Sequence, residues 1–170
     1  IKKMRLLLSG IVVLASIYYF SKKSKNKKAI SLLSNGGVVK FIQIKHNLCR
    51  IECDIRNITT GLHGLHVHEC GNITEGCGST CAHYNPDGKT HGGPFGTERH
   101  RGDLGNIEAD EQGICYQAIH ANINVDEIIG RGLVLHEDED DLGQGSNEES
   151  LKTGNAGDRI ACGVIGIMND

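Results

Sequence analysis

From residue 28 onward the sequence breaks into short segments of alternating apolar and polar residues, and no apolar run is long enough for a core helix. Strict alternation over four to eight residues is the mark of a half-buried strand. Candidate strands span 28–34, 37–45, 48–56, 62–68, 103–109, 114–120, 131–136 and 160–167. Asn35-Gly36-Gly37 is a hairpin signal between the first two, because positive-φ residues match the strand twist. Lys45-His46-Asn47 and Glu111-Gln112-Gly113 read as further turns. With 23 glycines and only two prolines, the composition suits a turn-rich β protein. Two long irregular segments remain, 69–102 and 137–159. Loops of that length inside a compact domain are usually functional or disordered, and the histidines that flank both favour function. The pattern predicts an all-β fold: an eight-stranded antiparallel Greek-key β-barrel or sandwich with two long functional loops.

The 170 residues suffice for one domain with a core. Residues 28–170 are assigned to that domain, and residues 1–27 read differently. Residues 6–20 (LLLSGIVVLASIYYF) are largely apolar and follow a short basic start. A membrane-spanning helix needs about 20 such residues, so this run fits the core of a signal peptide, with a cleavage site after Ala15. The lysines that follow it favour retention of that flank in the cytosol, which leaves an uncleaved anchor as the alternative. The expected location is therefore secreted, or membrane-anchored if the segment is kept. Sequons at Asn57 and Asn72 fit export.

Charge is divided along the chain. Eight basic residues and no acid fall in residues 1–28, which leaves ten basic and 21 acidic residues beyond, a net of −11. A domain so acidic is a poor nucleic-acid binder. It would also repel a small anion unless positive charge is arranged locally. The seven cysteines show no CxxC pair of the kind structural zinc sites use. Cys49 and Cys53 share a strand face by parity, and with Cys115 they read as buried small hydrophobes.

Nine histidines occur, and six fall where metal chemistry would need them. His66 and His68 end a candidate strand, so period two places both imidazoles on one face. His83, His91, His100 and Asp103 lie in one Gly-rich loop. Three imidazoles and a carboxylate make a closed tetrahedral zinc site that orders a loop. His136 closes the strand before the second loop and can join His66 and His68 around another metal, where imidazole-rich coordination suits Cu(II). His46 and His120 read as surface residues, and His63 as a buried, hydrogen-bonded neighbour of the site.

Five stretches carry a family resemblance. They are Gly61 to Glu69 (GLHGLHVHE), His83 to Pro86 with His91 to Pro94, Glu98 to Asn106 (ERHRGDLGN), Leu135 to Glu137 with Asp140 to Gly143, and Gly154 to Gly166 (GNAGDRIACGVIG). In this order and spacing the chain resembles the copper/zinc superoxide dismutases over residues 28–170. The resemblance implies one copper per chain, held by His66, His68, His83 and His136. It implies one zinc, held by His83, His91, His100 and Asp103, with His83 bridging the metals. Asp140 is similar to the carboxylate that links a copper ligand, His66, to a zinc ligand, His91. Cys77 and Cys162 resemble the family's intrasubunit disulfide. Arg159 matches the guanidinium that guides the anion. Glu149 and Lys152 match the charged rim of the substrate channel, and Thr153 its throat.

The implied activity is that of an oxidoreductase in antioxidant defence, converting superoxide to oxygen and hydrogen peroxide. Implied partners are the superoxide anion, a second copy of the chain in a homodimer and a copper chaperone. Some features depart from the family pattern. The connection His120–Ile128 is short, as is the turn between the second and third strands. Asp138 and Asp158 stand where relatives are less acidic, which weakens the local positive potential. Cys70 and Cys81 are additional, and the sequence leaves open a Cys70–Cys81 disulfide or an intermolecular bond through Cys70. An inactive, copper-handling relative would be expected to lack a ligand or Arg159, and none is missing.

Overall fold

The computed structural model describes residues 27–169. The N-terminal apolar segment, with its signal or anchor reading, lies outside the described residues. Strands β2 (Val38–Lys45) and β3 (Leu48–Arg56) show how alternation builds a wall. In β3 the side chains of Cys49, Ile51, Cys53 and Ile55 are buried, while Arg50 and Arg56 face water. The other barrel strands are β1 (Lys28–Leu32), β4 (Gly61–His68), β6 (Asp103–Ala109), β7 (Ile114–Ala121), β8 (Gly132–His136) and β9 (Arg159–Ile167); β1 alternates in the same way, whereas β4 from His63 onward and all of β8 are buried at every position.

These eight strands form one antiparallel sheet in the order β6-β4-β8-β9-β1-β2-β3-β7. The pairings β3–β7, β4–β8 and β9–β1 are the crossed connections of a Greek key. Both edge strands, β6 and β7, are consecutive in the chain and joined by the turn at 110–113. The sheet therefore curls into a nearly closed barrel. Phe41, Ile51, Ile55, Leu65, Val67, Ile107, Leu133, Leu135 and Ile165 fill it. Each such side chain contributes about 1.5–3 kcal/mol over its exposed state. Cys49, Cys53 and Cys115 are buried, outside any disulfide.

Four-residue elements escape a periodicity reading. The first long loop holds a ninth strand, β5 (Thr74–Cys77), and a 3-10 turn (Gly78–Thr80). The second holds α2 (Ser150–Thr153), and the short connection after β7 holds α1 (Val125–Ile128). That connection is closed rather than strained. Val125 N–H donates to Gln43 Oε1 at 2.7 Å, and Ile123, Val125 and Ile128 are buried. Among the described residues no helix is long and apolar enough to cross a membrane.

Candidate metal centre

On β4, Leu65 and Val67 point into the barrel, so His66 and His68 point out through its wall. The first long loop covers them. Val67 N–H donates to Gly102 O, and Tyr84 N–H to Val67 O, each at 2.8 Å. Both imidazoles are fully buried under that cover. Register shifts aim the neighbouring groups. One between Gly64 and His66 sets His66 opposite Asp103, and one between Leu135 and His136 sets His136 opposite Arg159. Irregularities of this kind re-aim side chains beside sites.

Two four-residue donor groups result among the described residues, with His66, His91 and Asp140 a smaller third between them. His66, His68, His83 and His136 form one, and His83, His91, His100 and Asp103 the other, with ligand atoms within 4.8 Å of one another in each. His83 belongs to both. Its Nδ1 faces Asp103 Oδ1 at 2.9 Å, as do His91 Nδ1 at 3.0 Å and His100 Nδ1 at 3.2 Å. Asp103 also accepts the backbone N–H groups of Gly92 and His100.

In the four-histidine group one nitrogen of each outer ring is occupied. His66 Nε2 bonds Asp140 Oδ2 at 2.8 Å, His68 Nδ1 bonds Cys81 O at 2.9 Å, and His136 Nδ1 bonds Gly157 O at 3.1 Å. The opposite nitrogens, His66 Nδ1, His68 Nε2 and His136 Nε2, are buried with no hydrogen-bond partner among the described residues. A ring that donates from one nitrogen presents a lone pair at the other. Buried lone pairs without partners are costly, and a metal ion in their midst satisfies them. The residues fit such an ion.

The electrostatics point the same way. Burial, reinforced by the neighbouring imidazoles, pushes His66 down to about 3, His68 to about 2 and His136 to about 4. These rings are neutral at pH 7, as ligands must be. At His91 burial is overridden by Asp103 and Asp140, which raise it to about 9. Burial would raise Asp103, yet the bonds from His100, His83 and His91 hold it well below the usual carboxylate range. Asp140 is likewise held low by His66 and His91, against its burial. At neutral pH the protonated His91 therefore lies between two ionised carboxylates, Asp103 and Asp140.

Asp140 joins the two groups, since its Oδ1 accepts from His91 Nε2 at 2.7 Å. Asn106 grips its backbone from both sides, at 2.8 Å each. His63 is buried, its nitrogens facing His136 O and Thr59 O. His46 and His120 are exposed and take no part. A pocket of about 420 Å³ opens onto His83 and His136, with Glu149, Lys152, Thr153 and Arg159 around it. Asp138 and Asp158 are exposed and do not line it. Arg159 is held by Cys77 O at 3.0 Å and Thr80 Oγ1 at 3.1 Å. Disulfides join Cys77 to Cys162 and Cys70 to Cys81, so Cys70 is closed within the chain. The carbonyls of Cys81 and Gly157, which set two ring orientations, escaped the sequence reading because a carbonyl has no side-chain signature.

The sequence matches copper/zinc superoxide dismutase (SODC) over residues 35–165. The chain belongs to the copper/zinc superoxide dismutase family. Within it, similarity runs in two directions. The copper chaperone for superoxide dismutase of Rattus norvegicus is 46% identical over 151 residues, covering 85% of this chain and 55% of that protein. The protein of the same name from Mus musculus is 50% identical over 130 residues, covering 76% and 47%. The superoxide dismutase [Cu-Zn] of Paramecium bursaria Chlorella virus 1 is 47% identical over 154 residues, covering 86% and 82%. The chain thus spans about half the length of the copper chaperones it matches.

Proposed function

We propose that the domain is a superoxide dismutase. Two superoxide anions and two protons would give one oxygen and one hydrogen peroxide. The observation that carries this reading is the set of orphaned nitrogens on His66, His68 and His136, beside a His83 shared with a second donor set. His66, His68, His83 and His136 would hold copper, and His83, His91, His100 and Asp103 would hold zinc. Copper supplies one-electron exchange when bound, while zinc is redox-silent and orders the loop.

The protein's own groups then have distinct tasks. Arg159, always charged, attracts the anion to the pocket and offers it a hydrogen bond. Its orientation is set by the carbonyl of Cys77. Lys152 adds positive charge at the rim of a domain that is otherwise acidic, and such local fields can raise association rates by about 10–10³. His83 can hold a proton on the nitrogen that faces away from Asp103 and pass it to the departing product. Glu149 bonds Thr153 Oγ1 at 3.0 Å, which fixes the two against each other.

The test is superoxide removal by protein reconstituted with copper and zinc. Wild type and His46→Ala should be active, with about one of each metal per chain, and His83→Ala should be inactive with an altered copper spectrum. Uptake of zinc alone by the wild type would refute the copper assignment. The names of the rat and mouse relatives support a second reading, in which the domain handles copper for a separate dismutase. Protein that binds both metals, leaves superoxide untouched and activates a copper-free dismutase would favour it.

Dimerisation and export belong to the same proposal. A homodimer would bury apolar side chains now exposed on β1 and β9, Leu32 and Val164 among them, and sedimentation would reveal it. Export would leave a mature N-terminus near Ser16, readable by mass spectrometry.

A further inference from the structure

Residues 68–70 and 80–83 run side by side as a small antiparallel ribbon against the four-histidine group. His68 pairs with His83. Glu69 N–H donates to Ala82 O at 2.8 Å and Cys70 N–H to Thr80 O at 3.0 Å. The Cys70–Cys81 disulfide closes this ribbon, with Cα atoms 5.5 Å apart. Cys81 has φ 66 and ψ −151, a region that side-chain-bearing residues avoid and glycine alone adopts readily. Such a conformation persists only where its surroundings impose it. Its carbonyl is the acceptor for His68 Nδ1–H at 2.9 Å. Thr80 Oγ1 lies 3.3 Å from the same nitrogen, but Thr80 gives its proton to Cys77 O at 2.8 Å and accepts from Arg159.

We propose that the Cys70–Cys81 disulfide is a positioning clamp for His68. It holds Cys81 in its unfavourable conformation, so that the Cys81 carbonyl fixes the proton on His68 Nδ1 and leaves Nε2 bare toward the metal. The consequence for copper rests on the function proposed above; the effect on the ring does not. Without the disulfide Cys81 relaxes, its carbonyl turns away, and the imidazole can place its proton on Nε2, where it blocks coordination. The Cys77–Cys162 disulfide joins the loop to β9 at the other end of the 3-10 turn and stays intact in the variants below. His136 is an internal reference, because its Nδ1 acceptor is Gly157 O.

The experiment uses the folded full chain, metal-free and ¹⁵N-labelled. Long-range ¹H–¹⁵N spectra report each ring's tautomer, and solvent exchange reports how firmly each Nδ1–H is held. In wild type both His68 and His136 should carry the proton on Nδ1. In Cys70→Ser/Cys81→Ser the His68 proton should exchange at least about tenfold faster, with both tautomers present and His136 unchanged. Cu(II) affinity, measured against a competing chelator, should fall about tenfold. In Cys70→Ser/Cys81→Gly the glycine tolerates the required φ, so exchange should lie between the two. That variant also carries the test if the double serine does not fold, with exchange at least about threefold faster than in wild type. An unchanged His68, or equal loosening of His68 and His136, overturns the clamp. A wild type with the His68 proton on Nδ1 that takes up no copper would refute the site assignment and leave the clamp standing.

Discussion

Replacing Gly154 by alanine should damage the zinc-side donor group through a single methyl. Gly154 ends α2 in the left-handed region, φ 71 and ψ 18, with its N–H on Ser150 O. A Cβ built there falls inside 3.0 Å of the Asp140 carboxylate and 2.5 Å from His91 Nε2. Neither can retreat. Asp140 Oδ1 already accepts from His91 and from Leu142 N–H, and Asn106 holds its backbone. The left-handed conformation costs an alanine about 1–2 kcal/mol, and overpacking adds about 1–3. Gly36 separates these effects, since it has φ 87 and nothing within 4 Å of its added Cβ. Urea unfolding of the metal-free protein should show Gly36→Ala losing only the conformational part and Gly154→Ala about 1–3 kcal/mol more. Zinc affinity should drop about 10–100-fold in Gly154→Ala alone, as when an outer partner of a ligand is disturbed. If the two variants unfold alike and Gly154→Ala binds zinc normally, the crowding argument around Asp140 is wrong.

Three other outcomes follow from the same geometry. Removing the Cys77–Cys162 bond by double serine substitution should lower unfolding free energy by about 4–5 kcal/mol, since the bond spans 85 residues; a loss under about 1 kcal/mol in urea titration would contradict the chain-entropy account. Metal-free protein should be most stable near neutral pH. His66, His68 and His136 are depressed, so their contribution is present above the unfolded value of 6.5 and is lost as pH falls toward about 3, 2 and 4. His91 is raised, so its contribution is complete below 6.5 and is lost as pH rises through about 9. Urea midpoints measured from pH 4 to 10 test both limbs, and stability still climbing between pH 7 and 9 would contradict the His91 assignment. Arg159→Ala should slow superoxide removal by roughly tenfold, equivalent to about 1.4 kcal/mol, with both metals retained; full activity at low salt would remove Arg159 from substrate capture.

Much of this protein is legible from the sequence alone because its information is local. Alternation sets which residues of β3 face inward, and the same parity puts His66 and His68 together on the outer face of β4. The chemical character of the donors is likewise a matter of residue type, with three imidazoles and a carboxylate clustered within one loop. Tertiary structure decided what depends on distant parts of the chain meeting. Sequence left the partner of Cys70 open, and only the return of residues 80–83 beside β4 brings Cys81 to it. Register shifts, invisible to a period of two, set His66 opposite Asp103 and His136 opposite Arg159. The proton on each imidazole is placed by the carbonyls of Cys81 and Gly157 and the carboxylate of Asp140. Every residue carries a carbonyl, so the one that becomes a partner is chosen by where the backbone runs.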